Sequence, residues 1–225
     1  MKRYLKIFYL LSILLVVSSC KEDTTTADIN NHKYILHSKI TSTIFWVGEE
    51  SSDENGYIPN IASAWDESWM FNYGGVDDPN YRDGYHPEAF TPLQNPFYFA
   101  LPYNDISIDG EQKDGISSYI PWYYKTDKYL SLCKNRWIKI TKDDKTVYAQ
   151  WEDVGPFYSD DKEYVFGYKQ PLNSINNHAG IDLSPAVRDY LLLKDIDTVD
   201  WQFVDIQDVP DGPWMEIVTK SYETY

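Results

Sequence analysis

Alternating apolar and polar positions dominate this chain, and most of the regular segments they define are strands. Runs of β-branched and aromatic residues bounded by glycine, proline or charged turns are typical of half-buried strands. Two such runs flank the turn Lys-Asp-Asp-Lys, which predicts a hairpin. The segments with this pattern are residues 38–48, 95–103, 136–151, 197–206 and 214–219. The pattern therefore predicts a small, mostly β domain.

One segment carries the signals of a helix. Ser184 is suited to the N-cap position and Pro185 to the first turn, and apolar residues follow at helical spacing. Residues 60–71 form a weaker helix candidate. Two long segments, residues 74–94 and 104–133, have no regular pattern and predict loop insertions. Loops of such length in a compact domain are usually functional or disordered.

The N-terminal segment has the pattern of an export signal. Basic residues precede a short apolar run, and residues 17–20 read Val-Ser-Ser-Cys. This segment resembles the lipobox of bacterial lipoproteins, which implies a signal peptide at residues 1–19 and lipidation of Cys20; an ordinary signal with an incidental cysteine is the alternative. We expect a flexible tether at residues 20–36 and a folded domain at 37–225. Lys-Glu-Asp at residues 21–23 resembles the export signal of Bacteroidetes surface lipoproteins, which implies an anchor in the outer membrane.

Charge and cysteine content narrow the function classes. The chain has a formal net charge of −15, and without residues 1–19, which hold three basic side chains and no acidic one, the net charge is −18. Such a charge repels polyanions, so we expect no nucleic-acid partner. Cys133 is the only cysteine after Cys20, which excludes an intrachain disulfide and a cysteine metal site. His86 and His178 lack metal-ligand spacing, and we predict neither a metal nor a cofactor.

Two short motifs, in a fixed order, resemble a known family. Residues 152–157 read Glu-Asp-Val-Gly-Pro-Phe, and residues 181–186 read Ile-Asp-Leu-Ser-Pro-Ala. This pair is similar to the Asp-Arg-Gly-Pro-Phe and Ile-Asp-Leu-Ser motifs of rare lipoprotein A, whose domain belongs with the expansins and related endoglucanases. The resemblance implies a six-stranded double-psi β-barrel with a short helix after the Ile-Asp-Leu-Ser turn, and a groove that holds peptidoglycan or another polysaccharide. The chain differs from the family at Tyr98, where the family has its catalytic-site histidine, and at Val154, where it has arginine.

Four carboxylates are candidates for glycoside chemistry, which needs one protonated acid and, for hydrolysis by inversion, a second carboxylate. The resemblance implies that Asp153 is the family's catalytic acid and that Asp182, in the second motif, corresponds to the acid of the related endoglucanases. Asp105 and Asp66 are further candidate partners. The alternative is a turn or helix-cap role for Asp153, Asp182 and Asp105, and for Asp66 a satisfied surface carboxylate between two core tryptophans. Strand alternation predicts that Glu152 points away from Asp153 into solvent.

Aromatic side chains make up 16% of the chain, which fits either a sugar-binding surface or a β-rich core. The predicted substrate-binding residues are Trp65, Trp69, Tyr98, Tyr103, Trp151 and Phe157. The sequence predicts a lipid-anchored cell-envelope protein whose barrel groove binds a polysaccharide. It leaves two alternatives open: an enzyme of the lytic transglycosylase or glycosidase type, or a non-catalytic, expansin-like binding or interaction module.

Overall fold

The computed structural model describes residues 33–53 and 55–220, in which strands outnumber helices. The strands are β1 (Leu36–Ile44), β2 (Arg82–Asp83), β3 (His86–Pro87), β4 (Tyr98–Leu101), β5 (Trp137–Lys142), β6 (Lys145–Val154), β7 (Ile181–Leu183) and β8 (Ile196–Val204). The α-helices are α1 (Trp69–Tyr73), α2 (Lys162–Val165) and α3 (Pro185–Leu191). Three short 3₁₀ turns lie at Ile116–Ser118, Ile206–Asp208 and Pro213–Met215.

Six strands close into a barrel in the order β1-β7-β4-β6-β5-β8, while β2 and β3 form a separate pair. Neighbouring barrel strands are antiparallel except for β1–β7 and β4–β6, which are parallel. The long strands β5 and β6 form the hairpin that the sequence predicts around residues 142–145. The prediction of a mostly β domain with a six-stranded barrel and few helices is thus confirmed.

Strand β4 separates two hydrophobic clusters, because its side chains alternate between its faces. Phe99 points into the barrel, where it stacks on Trp151 with ring centroids 6.0 Å apart. Tyr98 and Ala100 belong to the outer cluster, which also contains Trp69 of α1. All four β4 residues are consequently buried, because the barrel core packs against the inner face of the strand and the outer cluster packs against its outer face.

Helix α3 begins where its local signals predict. The hydroxyl of Ser184 accepts a hydrogen bond from the Val187 amide at 3.3 Å, and Pro185 occupies the first turn. The Ile-Asp-Leu segment before it, expected as a turn, forms strand β7 instead, because it pairs with both β1 and β4. The weaker helix prediction for residues 60–71 was largely wrong, since α1 covers only Trp69–Tyr73.

The strand predicted at residues 214–219 does not form, and side-chain hydrogen bonds take its place. The Thr219 amide donates to the Gln150 side-chain oxygen at 2.9 Å, and the Gln150 side-chain amide donates to the Thr219 carbonyl at 3.0 Å. A glutamine side chain therefore supplies the partner that a strand backbone would supply. Closure of the barrel explains the difference, since a closed barrel has no free edge to which another strand can add.

Candidate functional site

A cleft of about 550 Å³ lies on the outer face of the barrel. The ends of β1 and β6, with the residues that follow each strand, form much of its wall through residues 43–46 and 153–157. Strand β7 contributes Asp182, and the loop insertion at 74–94 contributes Pro79 and Asn80. The other insertion, residues 104–133, does not contribute to the lining, so the two long loops differ in their relation to the cleft.

A β-bulge in β6 turns Asp153 toward the cleft. Phe99 of β4 lies opposite Trp151, whereas the next residue, Ala100, lies opposite Asp153, so that Glu152 is the additional residue in β6. A bulge interrupts the alternation of a strand and re-aims the side chain that follows it. Asp153 therefore shares the outer face of Ala100 instead of pointing into the barrel with Trp151.

Asp182 reaches the same cleft from the other side of β4. Ala100 lies opposite Asp153 on β6 and opposite Asp182 on β7, so the two carboxylates flank one small side chain. Two strand spacings separate their Cα atoms, a distance of about 10 Å. A Cβ atom at Gly155 would lie 3.0 Å from the Asp182 Oδ2 atom, so glycine at this position leaves room for the carboxylate.

The hydrogen bonds of Asp153 go to one carboxylate oxygen. Its Oδ1 atom accepts from the amides of Ala64 at 2.8 Å and Val154 at 2.7 Å. Burial raises the pKa of Asp153 to about 7, although these two amides and the Lys134 ammonium favour its charged form. The carboxylate is thus held in a fixed direction while it remains able to exchange a proton near neutral pH.

Asp182 has a different environment. Its Oδ1 atom accepts a hydrogen bond from the Thr43 hydroxyl. Burial raises the pKa of Asp182 to about 7; the Thr43 hydroxyl opposes this change, and the charges of Asp153 and Glu49 add to it. Two carboxyl groups that titrate near neutrality therefore lie in one cleft, which is the arrangement that acid–base chemistry requires.

Glu49 is a third cleft carboxylate, and the sequence analysis missed it. It is 7% exposed, and its Oε2 atom accepts a hydrogen bond from the Asn60 side-chain amide at 2.7 Å. Backbone hydrogen bonds also join residues 48 and 49 to Asn60, which closes the intervening loop at its base. A glutamate at the end of an apolar segment carries no local signal for such a position, because its proximity to Asp182 depends on the pairing of β1 with β7.

Glu152 is not the solvated residue that strand alternation predicts. It is 1% exposed, and it is the additional residue of the bulge, where the regular alternation of the strand does not apply. Burial raises the pKa of Glu152 to about 8, against the effect of the Lys134 ammonium, and the neighbouring Asp66 and Asp153 carboxylates raise it further. The Lys134 Nζ atom is also 4.0 Å from the Asp66 Oδ2 atom. A buried acidic cluster thus lies beside the cleft without lining it.

These groups predict an unusual pH dependence of stability. We expect the free energy of unfolding to fall as the pH rises from about 6.5 to about 8, because folded Glu152 keeps its proton up to a pKa of about 8 and the unfolded chain does not. The loss is at most about 1.4 kcal/mol per pH unit for each such group. Below pH 6.5 the buried His37 acts in the opposite direction, since burial lowers its pKa to about 4.

Urea unfolding at several pH values in this window measures the effect. The Glu152→Gln variant should show a smaller slope of unfolding free energy against pH, while Asp144→Asn, in the exposed turn between β5 and β6, should keep the wild-type slope. A stability that rises over the window in the wild type would contradict this assignment of protons.

Two of the predicted catalytic residues lie outside the cleft lining. Asp105 is buried and accepts hydrogen bonds from the Ser131 hydroxyl at 2.5 Å and the Leu132 amide at 2.6 Å, so it joins the two ends of the loop 104–133. Asp66 accepts two bonds from the Asn72 side-chain amide, at 2.9 and 3.0 Å, next to α1. Both carboxylates therefore have hydrogen-bond partners close to them in the structure, outside the cleft.

The predicted substrate-binding aromatic residues separate into three groups. Phe157 lines the cleft. Trp65 is half-buried, and its indole N–H donates to the Asn104 side-chain oxygen at 2.9 Å. The remaining four have their side chains at most 1% exposed and pack the core: Trp69, Tyr98, Tyr103 and Trp151. Tyr98 donates to the Asp77 carboxylate at 2.9 Å, so its hydroxyl is buried and has a structural partner.

Several sequence predictions concern residues that the structure does not describe. The signal peptide at residues 1–19, the lipidated Cys20 and most of the tether at 20–36 lie outside the described residues. Within residues 33–53 and 55–220, no helix is long and apolar enough to span a membrane. In the same ranges, no group of three or more His, Cys, Asp or Glu side chains is placed to hold a metal ion.

Comparisons with known proteins were made at three levels. The chain was compared with models of protein families, with curated protein sequences and with solved structures. None of these comparisons finds a match.

Proposed function

We propose that this protein cleaves a polysaccharide by hydrolysis in the cleft, with Asp182 as the proton donor and Asp153 as the carboxylate that activates water. One observation carries the proposal: Asp153 and Asp182 flank Ala100 in a single cleft, and the pKa of each is raised to about 7. Hydrolysis of a glycosidic bond with inversion needs such a pair, one carboxyl protonated and one charged.

The hydrogen bonds of Asp153 and Asp182 suggest which carboxyl is the acid and which activates water. Backbone amides can only donate, so the two amides on Asp153 Oδ1 favour a charged carboxylate. The Thr43 hydroxyl can either donate to Asp182 or accept from it, so it tolerates a protonated Asp182. This assignment reverses the sequence expectation, in which Asp153 was the acid.

The strand positions of Asp153 and Asp182 are the basis for proposing hydrolysis with inversion. Inverting enzymes hold their carboxyl groups roughly 6.5–9.5 Å apart to admit a water molecule, whereas retaining enzymes hold them about 5 Å apart. Two strand spacings between the Cα atoms agree better with the larger separation. A lytic transglycosylase needs only one carboxylate, and an anhydro sugar among the products would identify that reaction.

The fold family, the cellular location and the identity of the polymer are also proposals. Parallel pairs β1–β7 and β4–β6 within a closed six-stranded barrel support a double-psi β-barrel related to rare lipoprotein A. The sequence of residues 1–23 supports a lipid anchor at Cys20 in the bacterial outer membrane. A peptidoglycan-type glycan of the cell envelope is then the expected polymer.

A non-catalytic glycan-binding module is the second candidate, and one observation favours it. The two amides on Asp153 hold it as they would hold a carboxylate that only stabilises a turn. On this alternative the cleft binds a glycan strand and leaves it intact, as expansins do.

Incubation of the soluble domain with purified peptidoglycan and a panel of polysaccharides tests both candidates. Mass spectrometry of released sugars and pelleting with insoluble glycan are the two readouts. We expect products from the wild type and from Asp144→Asn, a change in the exposed turn between β5 and β6, and none from Asp153→Asn. Equal pelleting of all three proteins without products would favour the binding module, and the absence of both products and pelleting would overturn both candidates.

A further inference from the structure

Trp46 differs from the other tryptophans of the chain in its packing. All eight tryptophans lie within the described residues. The others belong to one of the two hydrophobic clusters or pack against one: Trp65, Trp69, Trp122, Trp137, Trp151, Trp201 and Trp214. Trp46 is half-buried and belongs to neither cluster. Packing of the core therefore does not explain why the chain places a large aromatic side chain at this position.

The indole of Trp46 has no polar or aromatic partner among residues 33–53 and 55–220. It forms no ring contact there, and its N–H donates no hydrogen bond to a described residue. Only the backbone is engaged, since the Trp46 carbonyl accepts from the Glu49 amide at 3.1 Å. Indole N–H groups of buried tryptophans usually have a partner, as Trp122 and Trp214 do with backbone carbonyls at 2.8 Å. Both the ring and the N–H of Trp46 are thus available to a ligand.

The position of Trp46 connects it with the cleft. Three aromatic residues line the cleft: Phe45, Trp46 and Phe157. Phe45 is 6% exposed and packs edge-on against Tyr98, with ring centroids 5.4 Å apart. Phe157 packs against the backbone at Gly56, where a Cβ atom would lie 3.1 Å from its Cε1 atom. Of the three, Trp46 is the one whose ring has no such partner in the described part of the chain.

Polar groups in the same lining complete the requirements for a ligand. The side-chain amides of Asn80 and Asn176 line the cleft and form no hydrogen bond with a described residue. A molecule that satisfies both kinds of group has a flat apolar face and a polar edge. A pyranose ring has this form, with C–H groups on its faces and hydroxyls around its edge. The face of an indole ring is electron-rich and attracts such C–H groups.

We propose that Trp46 binds the glycan by stacking on one of its pyranose rings, and that the cleft therefore selects chains of pyranose rings over chains of furanose rings. The proposal rests on the proposed function and adds the residue that recognises the sugar and the class of ring. A furanose ring is smaller and more puckered, so it covers less of the indole. Because the apolar contribution to binding increases with the area removed from water, the furanose chain binds more weakly.

Titration calorimetry of the purified protein with three tetrasaccharides tests the class of ring. Two are β-1,4-linked pyranose chains, of glucose and of N-acetylglucosamine, and the third is a β-2,1-linked chain of fructofuranose. We expect at least one pyranose tetramer to bind about tenfold or more tightly than the fructose tetramer, as stacking of one ring allows. Failure of both pyranose tetramers to bind more tightly than the fructose tetramer would overturn the selection by ring class.

Variants of Trp46 test its role in binding. Trp46→Ala should weaken binding of the preferred tetramer about tenfold or more, and Trp46→Phe, which keeps a smaller ring, by less than about threefold. Since Trp46 belongs to neither cluster, Trp46→Ala should change Tm by no more than about 4 °C. Phe71→Ala is the matched control, because Phe71 is 83% exposed on α1 and does not line the cleft; its affinity should equal that of the wild type.

Tryptophan fluorescence gives a readout that a purely structural role would not change. The wild-type emission should shift on binding of the preferred tetramer, because a stacked sugar removes water from the Trp46 indole. Trp46→Phe still binds, but its emission should not shift, since the other tryptophans pack in or against the hydrophobic clusters.

The outcomes distinguish this proposal from the function on which it rests. Wild-type affinity in Trp46→Ala, or an undiminished emission shift in Trp46→Phe, would overturn the role of Trp46, while sugar products from the wild type would still support the proposed function. A weaker affinity in Trp46→Ala that is accompanied by a decrease in Tm of more than about 10 °C would assign Trp46 a structural role and likewise overturn the proposal. Absence of binding and of cleavage for every glycan would overturn the proposed function itself.

Discussion

Asp182→Asn should lower cleavage of the natural glycan about 10³-fold, the range found when a general acid is removed. The same variant should lose less than about tenfold on an aryl glycoside of the same sugar, because a phenolate leaves without help from an acid. Asp153→Asn should lose activity on both substrates, since water activation is needed whatever the leaving group. Initial rates for the two variants on the two substrates measure this difference.

Asparagine has nearly the same shape as aspartate, so both variants should fold like the wild type. In Asp153→Asn the side-chain oxygen can still accept from the Ala64 and Val154 amides, and in Asp182→Asn it can still accept from Thr43. Circular dichroism and the urea midpoint at pH 5, where both wild-type carboxyls hold their protons, serve as folding controls. If the aryl glycoside rescued Asp153→Asn and not Asp182→Asn, the roles would be the reverse of those proposed.

Local signals in the sequence predict the parts of the structure that depend on neighbouring residues. Ser184 and Pro185 identify the start of α3, because the cap bond to Val187 lies within the same turn. The hairpin of β5 and β6 is equally local, with its turn at residues 143–144. Asp153 belongs to a motif that is local in the same sense, since it lies two residues before the corner formed by Gly155 and Pro156.

Features that depend on distant pairing could not be predicted from the sequence. Glu152 illustrates this limit: alternation predicts its exposure only if β6 is regular, and the bulge appears only in the register between β4 and β6. Glu49 approaches Asp182 because β1 pairs with β7, about 140 positions later in the chain. The burial of the aromatic residues could not be predicted for the same reason, since a tryptophan in a barrel core and a tryptophan that faces a sugar have the same local sequence pattern.

Asp77→Ala should lower the free energy of unfolding by about 3–5 kcal/mol, the cost of leaving a buried charge without its partner. Asp77 is fully buried, forms an ion pair with Arg82 and accepts from the Tyr98 hydroxyl at 2.9 Å. Without Asp77, the Arg82 guanidinium and the Tyr98 hydroxyl each lose a buried partner next to the outer face of β4. Thermal unfolding should show a decrease in Tm of roughly 10 °C for a chain of this size.

Two comparisons show whether this cost belongs to the buried pair. The double variant Asp77→Leu, Arg82→Met should be more stable than Asp77→Ala, because it removes both charges and fills their space with apolar atoms. Asp160→Ala breaks the exposed pair with Lys113 at 3.1 Å and should cost less than about 1 kcal/mol. If Asp77→Ala lowered the free energy of unfolding no more than Asp160→Ala does, the Asp77–Arg82 pair would not be what holds the loop at residues 74–94 in place. Since this loop carries Pro79 and Asn80 to the cleft, loss of stability in Asp77→Ala should be accompanied by weaker glycan binding.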